Sequence, residues 1–240
     1  MVYLAIFTEL IKEALALGWL DWVVTITALV YVVLAARQKI WAWAWGIGSC
    51  ALWAYASFFF YHLWLDALLQ IFYVVMGFVG IYKWMGNRRD REIGEWGNEG
   101  MEDGRIKDGR IEDGGIGGIG GLGNEGIGAL RVTRLTAKQN AWIILGGSIL
   151  ALFFGYFFDV YTPAAATYLD AFVTVFSIVT TFLLVQKKLD NWAYWVIIDG
   201  ASIYLFASRG AYLFAGIMIV YTLIAAQAFW QWRKDYRLAR

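Results

Sequence analysis

Asp190-Asn-Trp-Ala-Tyr-Trp-Val-Ile-Ile-Asp199 opens an apolar run of membrane-spanning character. On a helix Trp192, Trp195 and Asp199 stand at i, i+3 and i+7, so two indoles and a carboxylate share one face. With the helix starting near Asp190, a rise of ~1.5 Å per residue carries Asp199 roughly 13 Å inward, close to the midplane of a hydrocarbon core ~30 Å thick. An acid at that depth is costly unless it faces a wet cavity or a partner, which marks it as a functional residue. The plainer alternative is a protonated acid hydrogen-bonded between helices.

Outward from this stretch the chain keeps the same character. Its 240 residues are 60% hydrophobic, 18% aromatic and 16% charged, which describes an integral membrane protein. Seven runs are long and apolar enough to span: about Trp19 to Ala36, Trp41 to Phe60, Trp64 to Trp84, Ala141 to Phe158, Ala164 to Val185, Trp192 to Ala207, and Ala211 to Trp230. Trp19, Trp41, Trp84, Tyr161, Trp230 and Trp232 sit at run ends, where interfacial anchors are expected. One cysteine, Cys50, and one histidine, His62, cannot build a metal or redox centre, so both read as bystanders and no cofactor is expected. Nor is an enzyme, since no paired carboxylates or nucleophile and base stand together.

The segments divide as follows. Residues 1–17, interrupted by Glu9, Lys12 and Glu13, read as an interfacial amphipathic stretch and not as a cleaved signal peptide. Residues 18–85 form a first group of three spans, 139–160 a single linking span, 161–232 a second group of three, and 233–240 a basic tail. Between the groups, 86–138 holds most of the glycines and about half of the acids, in loose repeats such as Asp108-Gly-Arg-Ile111. Such a segment buries too little apolar surface to offset its ordering entropy and is expected to be a flexible linker. With seven spans, eighteen of the twenty basic residues fall on one side, leaving only Lys12 and Arg209 opposite. The positive-inside rule then puts the C-terminus in the cytoplasm and the N-terminus outside. The net charge of +1 gives no reason to expect a nucleic-acid partner.

The two groups of three align without a gap at an offset of 149: Asp21 with Asp170, Thr25 with Thr174, Lys39 with Lys188, Trp43 with Trp192, Tyr55 with Tyr204. After a one-residue deletion Tyr73 pairs with Tyr221 and Trp84 with Trp232. A three-span unit repeated directly would insert upside down, and the extra span restores its orientation. The expected fold is therefore an all-α membrane protein with seven transmembrane helices, two parallel three-helix repeats joined by a linker helix (3+1+3), as in SWEET-type sugar transporters. Solutes in such folds bind between repeats near the midplane. Polar stripes there are Asp170, Thr174, Ser177 and Thr181 on span five and Asp66, Gln70, Tyr73 and Gly77 on span three. Each of these side chains could instead bond helix to helix. Asn191 could cap span six instead of touching solute, and Asp21 and Asp170 fit capping or an entrance better than binding. The repeat is broken at the centre: Asp199 aligns with Cys50, and Trp195 with Gly46.

The run Asp-Ala-Leu-Leu-Gln-Ile-Phe-Tyr (66–73), with Gly80-Ile-Tyr-Lys-Trp84, and the run Lys-Lys-Leu-Asp-Asn-Trp-Ala-Tyr-Trp-Val-Ile-Ile-Asp (187–199) resemble the nicotinamide riboside transporter family, PnuC. The similarity covers about residues 18–84 and 164–233. It implies facilitated import of nicotinamide riboside in a bacterial cytoplasmic membrane, with phosphorylation inside the cell setting direction, and relatives that carry thiamine or riboflavin. The residue chemistry agrees with it. Indole faces suit a cationic pyridinium ring, a carboxylate suits its charge, and amides and hydroxyls suit a ribose. The expected solute contacts are Gln70, Tyr73, Thr174, Ser177, Thr181, Asn191, Trp192, Trp195, Asp199 and Tyr221, the last as the repeat counterpart of Tyr73. Lipid and further copies of the same chain are the remaining expected partners.

Overall fold

The computed structural model describes residues 8, 11–60, 64–102, 130–161 and 167–238. His62, the start of the fifth run at Ala164, and the glycine-richest part of the linker (103–129) lie outside them. A short helix over 11–16 precedes seven long ones: α1 (Trp19–Ala36), α2 (Trp41–Phe59), α3 (Trp64–Glu102), α4 (Ala137–Tyr161), α5 (Thr167–Val185), α6 (Asp190–Ser208) and α7 (Tyr212–Leu238). Among the described residues there is no strand, only an isolated bridge between Thr133 and Lys188. Five of the seven, α1, α3, α4, α5 and α7, contain a stretch long and apolar enough to cross a membrane. In α2 and α6 that signal is diluted by tryptophan, tyrosine, glycine and serine, and in α6 by Asp190 and Asp199. These two helices hold equivalent places in the repeat, and both carry polar groups inward: Ser49 and Ser57 of α2, Asp199 and Ser202 of α6 are buried.

The expected linker departs from its reading at both ends. Helix α3 runs on to Glu102. At the other end residues 130–136 form a strap: the Thr133 N–H donates to Lys187 O (3.1 Å), and the Leu189 N–H donates to Thr133 O (2.8 Å). Asp190 fastens the same strap, accepting from the Leu135 N–H at 2.7 Å and pairing with Arg134 at 3.4 Å.

The sequence repeat reappears in contacts. Helices α1 and α7 pack together, and so do their counterparts α5 and α3. The turns after α1 and α5 are superimposable in their bonding: Lys39 N–H donates to Leu34 O and Lys188 N–H to Leu183 O, both at 2.9 Å. Each turn is made by a non-glycine residue in the left-handed region, Gln38 (φ 54°) and Lys187 (φ 50°), a conformation uncommon for residues with a Cβ. Beneath the turns lies an aromatic cluster. Trp43 meets Trp84 edge-on with centroids 5.3 Å apart, Trp192 meets Trp232 edge-on at 5.5 Å, and Trp84 touches Trp232 at 6.4 Å. The indole N–H of Trp84 donates to Val185 O (3.2 Å), and that of Trp232 donates to Ala36 O (2.8 Å). Donors and acceptors are repeat counterparts, so each half of the protein bonds to the end of the other's first helix.

This cluster corrects two expected anchors. Trp232 is fully buried and Trp84 half-buried, because both face the opposite repeat, whereas Trp19, Trp41, Tyr161 and Trp230 are exposed as interfacial residues would be. Losing an indole bond leaves a buried carbonyl unsatisfied at about 1–3 kcal/mol. Trp84→Phe and Trp232→Phe should each lower the thermal midpoint in detergent, while Trp230→Phe leaves it unchanged; equal midpoints for Trp232→Phe and Trp230→Phe would show that the crossed bonds contribute nothing.

Candidate substrate site

At the end of the bundle opposite the basic turns, polar contacts lie near the surface. Glu13 of the 11–16 helix accepts from the Tyr212 and Leu213 N–H groups at 3.1 and 2.7 Å, capping α7. Asp170 pairs with Arg209 at 2.6 Å, and Asp21 accepts from the Gly18 N–H at 2.9 Å, so both counterpart acids do structural work at this end. Between them opens a cavity of about 560 Å³ lined by Glu13, Asp21, Trp53, Arg209 and Phe214.

Deeper in, side chains from both repeats converge. Cys50 of α2 lies within electrostatic reach of Tyr31 (α1), Tyr73 (α3) and Tyr221 (α7), and Tyr221 lies within reach of Asp199 (α6). Tyr73 also lies within reach of Ser177 of α5. Tyr73 and Tyr221 are repeat counterparts, as are Cys50 and Asp199, so this is where the two halves meet. Asp199 is 6% exposed and forms no hydrogen bond or ion pair with another described residue. Trp195 packs against both apolar clusters of the core, on the same face of α6.

The remaining expected contacts are spread more widely. Gln70 is half-buried near the outer end of α3, its amide 3.5 Å from Asp66, which also accepts from the Ser57 hydroxyl at 2.5 Å. Gly77 is a packing position, since a Cβ there would come within 2.4 Å of Ile47. On α5, Ser177 and Thr181 are buried, and the Thr181 hydroxyl donates to Ser177 O at 2.8 Å; Thr174 is exposed. Trp192 belongs to the aromatic cluster under the turns. Asn191 is not the N-cap, a place held by Leu189; its amide donates back to Lys188 O, and it is fully buried one turn from the strap.

Three residues at the centre escape the polar-stripe reading. Tyr31 lies off the polar stripes and Cys50 reads as a bystander, yet both stand in the converging group. The third is Thr180, wholly buried with a hydroxyl that has no hydrogen-bond partner. Repeat correspondence was the signal available for it, because Thr180 aligns with Tyr31.

Set against known proteins, residues 18–234 match the profile of the family described as Nicotinamide mononucleotide transporter. The chain belongs to that family. It is a multi-pass membrane transporter and not an enzyme. Two similar relatives, from Escherichia coli (strain K12) and Shigella flexneri, both carry the name Nicotinamide riboside transporter PnuC. Each is 24% identical over 221 residues, covering 92% of this chain and 87% of the relative. A solved structure titled "Crystal structure of the Vitamin B3 transporter PnuC" superposes with a TM-score of 0.63 at 20% identity, covering 97% of this chain and 90% of that one. That likeness establishes the fold.

Tyr73 and Ser177 face each other where α3 of one repeat packs on α5 of the other. If the two hydroxyls pair, the double-mutant cycle of Tyr73→Phe and Ser177→Ala should give a coupling of about 0.5–1.5 kcal/mol in detergent unfolding; strictly additive losses would show that they do not pair.

Proposed function

We propose that this chain imports nicotinamide riboside by facilitated diffusion through seven membrane-spanning helices arranged 3+1+3 in the SWEET manner, with cytoplasmic phosphorylation trapping the solute. The observation that carries the reading is the α6 face, where a buried carboxylate with no paired cation, Asp199, stands one helical turn beyond the indole of Trp195 and within reach of Tyr221. A cationic aromatic nucleoside matches that face: charge to Asp199, ring to Trp195, hydroxyls to Tyr73, Ser177, Thr181 and Gln70. Thr174, Asn191 and Trp192 complete the proposed contact set at its edges. The names of the two bacterial relatives support the same solute.

The family description names the mononucleotide, and here electrostatics favours the riboside. A phosphate dianion beside Asp199 would meet a like charge, and no lysine or arginine is among the described residues of the central group. The five helices of spanning character, together with α2 and α6 in equivalent places, support the seven-span count. The placement of the basic turns supports a cytoplasmic C-terminus in a bacterial inner membrane. Helix α4 presents exposed apolar side chains along its length, a surface for lipid or for a second copy in a homo-oligomer.

Titration calorimetry on detergent-purified protein tests the solute. Nicotinamide riboside should bind, thiamine and riboflavin should not, and Trp195→Ala should weaken binding about tenfold or more, the scale of a desolvated cation-π contact. Binding of thiamine or riboflavin instead would keep the fold and change the cargo. A buried acid could also exchange a proton during transport. With Asp199→Asn, a uniporter retains counterflow exchange at altered affinity, whereas loss of pH-driven uptake would make the protein proton-coupled. Saturating nicotinamide riboside should also slow maleimide labelling of Cys50, which stands in the converging group.

A further inference from the structure

Four threonines within these helices share one habit. Thr25, Thr27, Thr181 and Thr222 each return their hydroxyl to the carbonyl four residues earlier, at 2.8 Å in every case. In an apolar helix this is the nearest acceptor, and it spares the hydroxyl an unsatisfied burial. Thr180 does not take it. Its hydroxyl is sealed from the surface and bonds to nothing, one residue from a threonine that behaves normally.

Its direction is set by its neighbours on α5. Ser177 meets Tyr73 of α3, and Phe176 stacks on Tyr194 of α6 with centroids 6.3 Å apart. At about 100° per residue, Thr180 falls on the helix wheel between those two positions, facing the cleft between α3 and α6. The repeat gives the same answer. Tyr31, its counterpart, packs on Gly46, whose position a Cβ would crowd to 2.9 Å from the Tyr31 ring. The equivalent register of α5 and α6 sets Thr180 opposite Trp195. In one repeat the first helix supplies the large ring and the second a glycine; in the other the first supplies a small hydroxyl and the second the large ring.

We propose that Thr180 is a solute-contacting, specificity-determining residue, its hydroxyl held off the helix backbone to hydrogen-bond a hydroxyl or amide of a nucleoside lying against Trp195. This rests on the nucleoside reading above and adds a residue to it. A site built to bond a polar group discriminates against solutes lacking one, because its own hydroxyl is then left unpaired.

Thr180→Val keeps the shape and removes the hydroxyl; Thr180→Ser keeps the hydroxyl. Full-length protein in detergent is titrated with nicotinamide riboside, and the thermal midpoint is measured without solute. Thr180→Val should bind about tenfold more weakly with an undiminished solute-free midpoint, since the hydroxyl has no protein partner to lose, and Thr180→Ser should stay within about twofold of the parent. Parent-like affinity in Thr180→Val, or a fall in its solute-free midpoint, overturns the assignment while leaving the solute standing. Absence of nicotinamide riboside binding by the parent protein overturns both.

Discussion

The structure depends on two indole N–H bonds that cross between repeats. Trp84 and Trp232 each reach the last carbonyls of the opposite repeat's first helix, Val185 and Ala36. Helices in lipid have little hydrophobic reason to prefer one another over acyl chains, so packing and hydrogen bonds must fix how the halves sit. Here the two bonds are equivalent, and they lie beside a cluster of four tryptophans at the basic end. The left-handed turns at Gln38 and Lys187 bring each second helix back against its first in the same way in both repeats. At the other end the polar contacts are fewer: Glu13 ties the N-terminal helix to α7, and the pair of Asp170 with Arg209 lies within the second repeat.

Symmetry at the basic end gives way to asymmetry at the centre. Trp43 and Trp192 are matched, as are Trp84 and Trp232, but Cys50 faces Asp199 across the repeat and Gly46 faces Trp195. Scaffold positions obey the duplication because the same helix ends must meet twice. Positions that can touch a solute are released from that requirement. The divergence of residues 46, 50, 180 and 195 from their counterparts is what the proposed site requires.

Much of this was legible in the sequence. The first helix was placed to the residue, and the second to within one, because tryptophans and turn residues bracket unbroken apolar runs. The repeat was readable at a fixed offset. What the sequence did not disclose followed from facing. Trp232 looks like its neighbour Trp230, yet one points at the other repeat and the other outward. Thr174 and Ser177 share a polar stripe on a helical wheel, but only Ser177 meets Tyr73; an exposed position and a buried one can sit one turn apart on a helix whose contacts are unknown. Helix α3 outran its apolar span, since the apolar run that marked it ends near Trp84. Thr180 was invisible because its character lies in a bond it declines to make.

The pairing of Tyr31 on Gly46 against Thr180 with Trp195 also bears on how a solute is seated. A duplicated carrier with identical halves offers every unsymmetrical solute two equivalent poses, related by half a turn. Unequal halves abolish that degeneracy. In the proposed site a molecule would meet aromatic bulk from a different helix on each side and a carboxylate on one side only, which would leave it a single preferred orientation.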